Sequence, residues 1–299
     1  MAPMDSRKPR ARIETAPSLA HPYAGLTVGF ATKHDKARLV APHFASMLSV
    51  SIETIDFDTD SLGTFSGEVQ RRGSALDVAF EKARVGAGSC THGLGLGSEG
   101  TIGPSYELPM LTSDVEVLAF VDIHRNTFVS EFVTSHSIKT IAMTVQPHTE
   151  FHSRLVGGGF PEHGVIVMPA DGSMSPVYKG LHSFGEVDSA VRICAVASSN
   201  GRARIETDFR ADHCPSRRPA IAEAASRLVA RLRELCPECN APGWGVVSHE
   251  RGVPCSLCGG IVDVAAREVH GCTACGTRRV STDAIRTSVS PARCPRCNP

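Results

Sequence analysis

Eight of the eleven cysteines fall into four Cys-x-x-Cys pairs near the end of the chain. A Cys-x-x-Cys turn points two sulfur atoms at one spot, and two such turns form a tetrahedral cage of four thiolates that suits Zn²⁺. The pairs are Cys236 with Cys239, Cys255 with Cys258, Cys272 with Cys275, and Cys294 with Cys297. They predict that residues 236–299 form a module with two zinc sites.

The spacing of the pairs does not decide which of them share an ion. Sequential pairing would join the first pair with the second, whereas nested pairing would join the two inner pairs and the two outer pairs. Gly259 and Gly276 directly follow two of the pairs, where a tight turn needs a positive φ. His270 lies beside Cys272 and is expected to be a bystander. Sites closed by four cysteines leave no position for a catalytic water, so the zinc is expected to be structural.

Composition sets limits on the remaining function. Lys and Arg together number 31, as do Asp and Glu, so the net charge gives no reason for wholesale binding to nucleic acid or an anionic membrane. No apolar run is long enough to cross a bilayer, and the first residues lack the apolar core of a secretory signal. We therefore expect a cytoplasmic protein with reduced thiols, in which Cys90, Cys194 and Cys214 are small buried side chains.

A second group of candidate residues lies where a buried strand, residues 26–31, leads into a helix. Free backbone N–H groups at a helix start suit a phosphate, and the Thr32 hydroxyl with the charges of Lys33 and Lys36 would add to them. A capped surface helix with solvated lysines is an equally good interpretation.

Acidic residues on a glycine-punctuated loop form a third group, at Asp58, Asp60 and Glu68. Carboxylates in such a loop suit Mg²⁺. A polar surface loop is the competing interpretation.

Residues 93–104 contain a formal Gly-x-Gly-x-x-Gly motif. We reject a dinucleotide site because that motif should open a helix, whereas Gly103 and Pro104 favour a loop after a short strand. Glu99, among glycines at the end of that strand, is instead placed for a metal or polar ligand.

Arg210, Arg217 and Arg218 precede the last predicted helix. Arginines at a helix start interact unfavourably with the positive end of the helix dipole unless an anion or a carboxylate neutralises their charge. Phosphate or carboxylate of a ligand would do so, and so would internal salt bridges to Glu206, Asp208 and Asp212.

The elements that must position these residues alternate between strand and helix. We predict a basic disordered tail over residues 1–22, an α/β domain over 23–235, and the zinc module over 236–299. Predicted strands cover 26–31, 50–55, 94–97, 164–168 and 203–207, with a hairpin formed by 115–123 and 128–134. Predicted helices cover 32–47, with a break near Pro42, and also 74–85 and 219–235.

These segments resemble a bacterial family described as domain of unknown function 6671, over about residues 23–299. The resemblance rests on residues 28–34, 62–68, 97–100 with 103–104, 206–210, 215–217, 236–239 with 242–243, and 297–299. The family name implies no activity.

The order of parts is also similar, more distantly, to the inosine triphosphate pyrophosphatase-like fold, which implies a mixed sheet. In that fold a Thr/Ser-x-Asn-x-x-Lys turn holds phosphates, and Thr32 and Lys36 fit it, with His34 where Asn is expected. The resemblance implies that Glu68 and Glu99 are the catalytic acids that hold Mg²⁺ or Mn²⁺. Lys33 and Lys82 would add phosphate contacts, and Arg210 and Arg217 would hold the other end of the ligand.

Three functional hypotheses follow. The first is a Mg²⁺-dependent hydrolase of a nucleotide or related phosphorylated small molecule. The second is a non-enzymatic nucleotide sensor whose zinc ribbons dock a protein or RNA, although nucleic acid is not favoured. In the third, the zinc module only caps the α/β domain or a homodimer.

Overall fold

The structure is a computed structural model, and it describes residues 21–33, 35–63, 69–106 and 108–299. Residues 1–20 of the predicted tail lie outside the described residues. The helices are α1 (Lys36–Leu48), α2 (Ala75–Ser89), α3 (His152–Gly157), α4 (Phe184–Ala197) and α5 (Arg218–Arg233). The strands are β1 (Thr27–Ala31), β2 (Ser51–Ile55), β3 (Leu94–Pro104), β4 (Thr112–Asp122), β5 (Thr127–Ser135), β6 (Ala142–Val145), β7 (Val165–Pro169), β8 (Tyr178–Leu181), β9 (Ala203–Thr207), β10 (Gly245–Pro254), β11 (Ile261–Gly271) and β12 (Arg278–Ala284).

The first lobe, residues 21–135 and 218–235, is built on a mixed sheet with the order β2-β1-β3-β4-β5. Strand β1 is parallel to β2 and β3, while β4 and β5 continue the sheet in antiparallel fashion. Helices α1 and α5 cover one face with a core that includes Phe30, Phe44 and Leu228, and α2 covers the other face. This confirms the predicted mixed sheet and the predicted hairpin.

Glycines on β3 allow α2 to lie directly against the sheet. A Cβ atom added at Gly97 would lie 2.0 Å from the carbonyl oxygen of Ala79, and one added at Gly95 would lie 1.9 Å from that of Ala83. The expectation that this segment becomes a loop after Gly97 is wrong, because β3 continues to Pro104 and pairs with β4 throughout. The glycines of the motif serve close packing between helix and strand.

The second lobe, residues 141–207, has its own antiparallel sheet with the order β6-β9-β7-β8. Helix α4 packs on it around a separate core that contains Leu155, Val167, Val187 and Ile205. The sequence patterns did not predict this second core, and they missed α3, α4, β6 and β8. The chain enters the lobe after β5 and returns through residues 208–217 to α5, so two connections join the lobes.

Helix α1 also differs from expectation. It begins at Lys36 rather than at Thr32, and it continues through Pro42 without a break. Cys90, Cys194 and Cys214 are buried, as predicted. None of the helices in the described ranges is long and apolar enough to span a bilayer.

Candidate functional site

The eight paired cysteines form two compact clusters. Within each cluster the four sulfur atoms all lie within 4.8 Å of one another. The Sγ–Sγ distances are 3.7 Å for Cys236–Cys275, 3.7 Å for Cys239–Cys272, 3.9 Å for Cys255–Cys297 and 3.8 Å for Cys258–Cys294. A tetrahedral site with Zn–S bonds of about 2.3 Å requires sulfur atoms about 3.8 Å apart. The clusters therefore fit Zn²⁺, and each could hold one structural ion through four cysteines.

The pairing is neither sequential nor nested. The first Cys-x-x-Cys pair shares a cluster with the third, and the second with the fourth. The reason is the meander β10-β11-β12, in which consecutive strands are antiparallel. The register Gly245↔Gly271 brings the pair before β10 next to the pair after β11. The bridge between Cys255 and Val289 brings the other two pairs together at the opposite end.

The turns of the four cysteine pairs share one backbone pattern. The residue after the second cysteine donates its N–H to the carbonyl of the first, as Asn240 does to Cys236 over 2.9 Å. Gly259 and Gly276 occupy the equivalent positions at φ 68° and 77°, which confirms that these turns need left-handed backbone. His270 is absent from both clusters and contacts Glu268, as expected for a bystander.

The cluster around Cys236, the proximal cluster, docks on the first lobe. The Phe128 N–H donates to Thr273 Oγ1 over 3.1 Å, which attaches the module to the edge strand β5. Arg231 of α5 donates to the carbonyl of Gly243. A Cβ at Gly243 would lie 2.5 Å from Val129, so the module packs closely here. The module thus covers part of the sheet edge, which agrees with a capping role.

A cleft that is partly open to solvent lies between the two lobes. Its lining contains the seven ligand or catalytic residues that the resemblance implies within the described ranges, namely Thr32, Lys33, Lys36, Lys82, Glu99, Arg210 and Arg217. Glu68 and His34 lie outside the described residues. The first lobe supplies Lys33, Lys36 and Lys82, while Lys179 and Arg210 come from the second lobe and its return connection.

Lys36 lies at the start of α1 with its amine 3.0 Å from the hydroxyl of Ser98 on β3. The nearest described carboxylate oxygen is Oε2 of Glu116 at 4.0 Å. Burial lowers the pKa of Lys36 to about 8, in the same direction as the charge of Arg217 and against the attraction of Glu116. The alternative interpretation, a surface helix with solvated lysines, is therefore wrong for Lys36, which is only 7% exposed.

Glu99 is held by two cations. Its Oε2 accepts from Lys82 at 2.6 Å, and its Oε1 accepts from Arg71 at 2.7 Å. Burial alone would raise the pKa of Glu99, but the charges of Lys82 and Lys36 outweigh it, so the pKa lies below its ordinary value. Glu99 is thus a buried carboxylate that positions Lys82 and Arg71 in this arrangement.

The loop acids predicted to suit Mg²⁺ also contact a cation. The amine of Lys33 donates to Asp58 Oδ1 over 2.5 Å and to Asp60 Oδ2 over 3.2 Å. Asp58 and Asp60 therefore lie beside the turn between β1 and α1, and Asp60 contributes to the cleft lining.

Arg210 forms one of the internal salt bridges that the sequence analysis considered. Its Nε donates to Asp208 Oδ1 over 2.9 Å, and Asp208 also accepts from the backbone N–H of Gly180. Burial alone would raise the pKa of Asp208, but the hydrogen bond and charge of Arg210 bring it below its ordinary value. The guanidinium remains a quarter exposed towards the cleft.

Arg217 is fully buried and contacts carboxylates that the sequence did not single out. Its Nε lies 2.7 Å from Oε1 of Glu116 and 3.9 Å from Oδ1 of Asp114, and its Nη1 donates to the carbonyl of Phe209. Burial and the charge of Glu116 raise the pKa of Asp114 to about 7. Neither oxygen of Asp114 has a hydrogen-bond partner within the described part of the chain.

Sequence reasoning missed Ser98, Asp114, Glu116 and Lys179. The acids of β4 alternate with valines, a pattern typical of a strand with one solvated face, so it gave no signal of burial. Ser98 stands next to a residue that we singled out, and its position beside a glycine in a buried strand was the available signal.

Comparisons with known proteins were made against family models, curated proteins and solved structures. Neither the curated proteins nor the solved structures gave a match. The family model described as Domain of unknown function (DUF6671) matches residues 82–299, which include the second lobe, the zinc module and the Lys82, Glu99, Arg210 and Arg217 side of the cleft. Since this match spans most of the chain, the protein belongs to the DUF6671 family.

Proposed function

We propose that the cleft binds a nucleotide or a related phosphorylated small molecule and that the protein hydrolyses it. One observation carries this proposal. Among the described residues, the cleft lining has six cationic side chains and three carboxylates. The cations are Lys33, Lys36, Lys82, Lys179, Arg210 and Arg217, and the carboxylates are Asp60, Glu99 and Asp208. Glu116 contacts Arg217 from outside the lining, and an anionic ligand would still be attracted to a wall in which cationic groups outnumber carboxylates.

The kinds of groups present favour phosphate among anions. Lysine amines act as point charges for phosphate oxygens, and the guanidinium of Arg210 can form two parallel hydrogen bonds with a phosphate. The start of α1 adds N–H groups and the positive end of a helix dipole beside Thr32. Because these groups come from both lobes, the ligand would be held from two sides.

The predicted Mg²⁺ or Mn²⁺ remains part of the proposal. Both oxygens of Glu99 contact cations, so a metal bound there would have to displace Lys82 or Arg71. Phosphate oxygens of the ligand would attract those same cations, which would free the carboxylate. The two zinc ions would act elsewhere, since closed four-cysteine sites support folding and leave no position for substrate.

The test is a screen of the full chain against nucleoside triphosphates and small phosphate esters, with Mg²⁺, with Mn²⁺, and without either. Phosphate release is measured for the natural protein and for Lys82→Met and Arg210→Met. Lys139→Met is the matched control, because Lys139 is exposed and does not line the cleft. We expect turnover to fall at least tenfold in the two cleft variants and to stay unchanged in the control. No turnover and no ligand-induced thermal shift with any phosphate compound would refute the proposal.

A nucleotide sensor without turnover is the second candidate. It is favoured by the fact that each described carboxylate of the lining is already paired with a cation: Asp60 with Lys33, Glu99 with Lys82, and Asp208 with Arg210. Within those residues, no carboxylate is free to activate water. A thermal shift upon ligand binding, without phosphate release under any metal condition, would support the sensor.

A further inference from the structure

Lys36 and Ser98 form a hydrogen-bonded pair on the wall of the cleft. The amine of Lys36 lies 3.0 Å from Oγ of Ser98, and both residues line the cleft although they are only 7% and 4% exposed. Ser98 lies on β3, and the residues before and after it pair with β4. Its backbone is therefore held within a sheet. The pair therefore combines a serine hydroxyl with an amine at fixed, short range.

Three features of the surroundings favour the neutral form of this amine. The side chain is removed from water, and the cationic groups of Arg217 and Lys82 lie nearby and repel a further positive charge. Lys36 is also the first residue of α1, where the positive end of the helix dipole disfavours a cation. Glu116 on β4 and Glu99 on β3 act in the opposite direction, and the resulting pKa is about 8. A substantial fraction of the amine is therefore neutral just above neutral pH.

We propose that Ser98 is the nucleophile of this site and that Lys36 is its general base, so that hydrolysis passes through a phosphorylated serine. The proposal rests on the proposed function only for the identity of the substrate. A serine hydroxyl is a weak nucleophile by itself, and an adjacent base within hydrogen-bond reach is the usual means of activating it. A buried lysine can be that base, because its neutral form has a free lone pair.

The proposed hydrolysis proceeds in two phosphoryl transfers. Lys36 Nζ takes the hydroxyl proton while Ser98 Oγ forms a bond to phosphorus, and the bond between phosphorus and the leaving oxygen breaks. The leaving oxygen takes the proton from Lys36. Water then attacks the phosphorus and gives one proton to Lys36 while the bond between phosphorus and Ser98 Oγ breaks. Lys36 returns this proton to Oγ, which releases phosphate and restores both the serine hydroxyl and the neutral amine. The positive charge that forms on Lys36 lies next to the negative charge that develops on the phosphoryl group, so the two stabilise each other.

The test uses electrophiles that need no knowledge of the natural substrate. The full chain is treated with diisopropyl fluorophosphate, and in parallel with phenylmethanesulfonyl fluoride, and adducts are located by mass spectrometry of peptides. We expect one adduct per chain on Ser98, formed at a rate that rises with pH and levels off with a midpoint near 8.

Variants distinguish a Lys36 that accepts the serine proton from a Lys36 that has only a structural role. Ser98→Ala should abolish the adduct, and Lys36→Met should slow it at least a hundredfold. Lys36→Arg keeps the charge and the hydrogen bond but cannot accept a proton, so it should be as slow as Lys36→Met. Ser113→Ala is the control, because Ser113 is buried on β4, where its hydroxyl donates a hydrogen bond to the carbonyl of Gly103 and not to Lys36. Circular dichroism confirms that each variant is folded.

The outcomes distinguish this proposal from the proposed function. If Ser98 forms no adduct with either reagent, or if Lys36→Arg reacts at the natural rate, the nucleophile proposal is overturned. Phosphate release with a ligand-induced thermal shift would leave the proposed function standing in that case. A Lys36-dependent adduct on Ser98, without binding of any phosphate compound, would support the pair and refute the phosphorylated substrate.

Discussion

The Nε atom of Arg217 lies 2.7 Å from Oε1 of Glu116, and both side chains are fully buried although 101 positions separate them in the sequence. The intervening chain includes the whole second lobe. Arg217 also donates to the carbonyl of Phe209 on the connection that leaves that lobe. The pair therefore fixes where the chain re-enters the first lobe, beside one wall of the cleft.

Breaking this pair should cost much more than breaking one at the surface. Glu116→Gln removes the carboxylate that lies 2.7 Å from the buried Arg217 charge, and we expect a loss of about 3 kcal/mol in the free energy of unfolding. Glu223→Gln removes the partner of Arg227, where both side chains are about half exposed, and should cost less than ~0.5 kcal/mol. Urea unfolding followed by circular dichroism measures both. Similar losses in the two variants would contradict the structural role of Glu116.

The close packing of α2 against the glycines of β3 leads to a second prediction. In Gly97→Ala the added methyl would lie 2.0 Å from the Ala79 carbonyl oxygen and 2.6 Å from the Ala83 nitrogen, so α2 must move away from the sheet. We expect a loss of roughly 3 kcal/mol or more in stability. Gly103→Ala on the same strand has no atom within 4 Å and should change stability by less than about 1 kcal/mol. The melting temperatures of the two variants are compared by thermal unfolding. Equal melting temperatures would show that α2 does not contact β3 this closely.

The crossed pairing of the cysteines is testable by counting metal ions. The natural protein should carry two zinc ions per chain, as measured by mass spectrometry of the metal. The double variant Cys236→Ser with Cys272→Ser alters one cluster only and should retain one ion. Cys236→Ser with Cys255→Ser alters both clusters and should retain none. Sequential pairing would give the reverse result for the two variants, and nested pairing would leave neither with an ion.

Lys36 gives a prediction for stability against pH. Its folded pKa of about 8 lies below the ordinary lysine value of 10.5, so the unfolded chain binds this proton more tightly than the folded protein does. The contribution of Lys36 to stability therefore increases as the pH rises from about 8 towards the ordinary value. Lys36→Met removes this dependence.

We accordingly expect the stability advantage of Lys36→Met over the natural protein to fall by about 2 kcal/mol between pH 7 and pH 10, since each pKa unit corresponds to about 1.4 kcal/mol. The measurement is urea unfolding at several pH values. Lys139→Met should show no such trend, because Lys139 is exposed. A difference between Lys36→Met and the natural protein that does not vary with pH would mean that Lys36 keeps its proton when buried.

The zinc module shows how far residue spacing can lead. A pair of cysteines two positions apart forms a local turn, so the eight ligands could be identified without tertiary information. Which turns meet depends on how three strands pair, and that is a long-range property. Had the three intervals between pairs been taken as one antiparallel meander, alternate pairs would have been placed at the same end, which is the observed arrangement.

The residues of the cleft likewise divide into those that the sequence identified and those that it missed. Thr32 and Lys36 follow the end of β1, and Glu99 follows the residues of β3 that pair with β1 in parallel. The resemblance in the order of strands and helices was enough to suggest that these residues meet. The second lobe was missed as a unit, because only two of its strands, β7 and β9, carried a pattern that the sequence analysis recognised. Lys179 from that lobe was missed for the same reason.

Local spacing was sufficient to identify the cysteine ligands, because each Cys-x-x-Cys pair is a local turn. The resemblance to a known fold implied the mixed sheet and most of the polar side chains that reach the cleft. Tertiary structure alone decided the partners of those side chains. Glu99 contacts Lys82 and Arg71, Arg217 contacts Glu116, and Lys36 contacts Ser98. A charge has no preferred partner along the chain, and its pairing is fixed only when folding excludes water and brings distant strands and helices together.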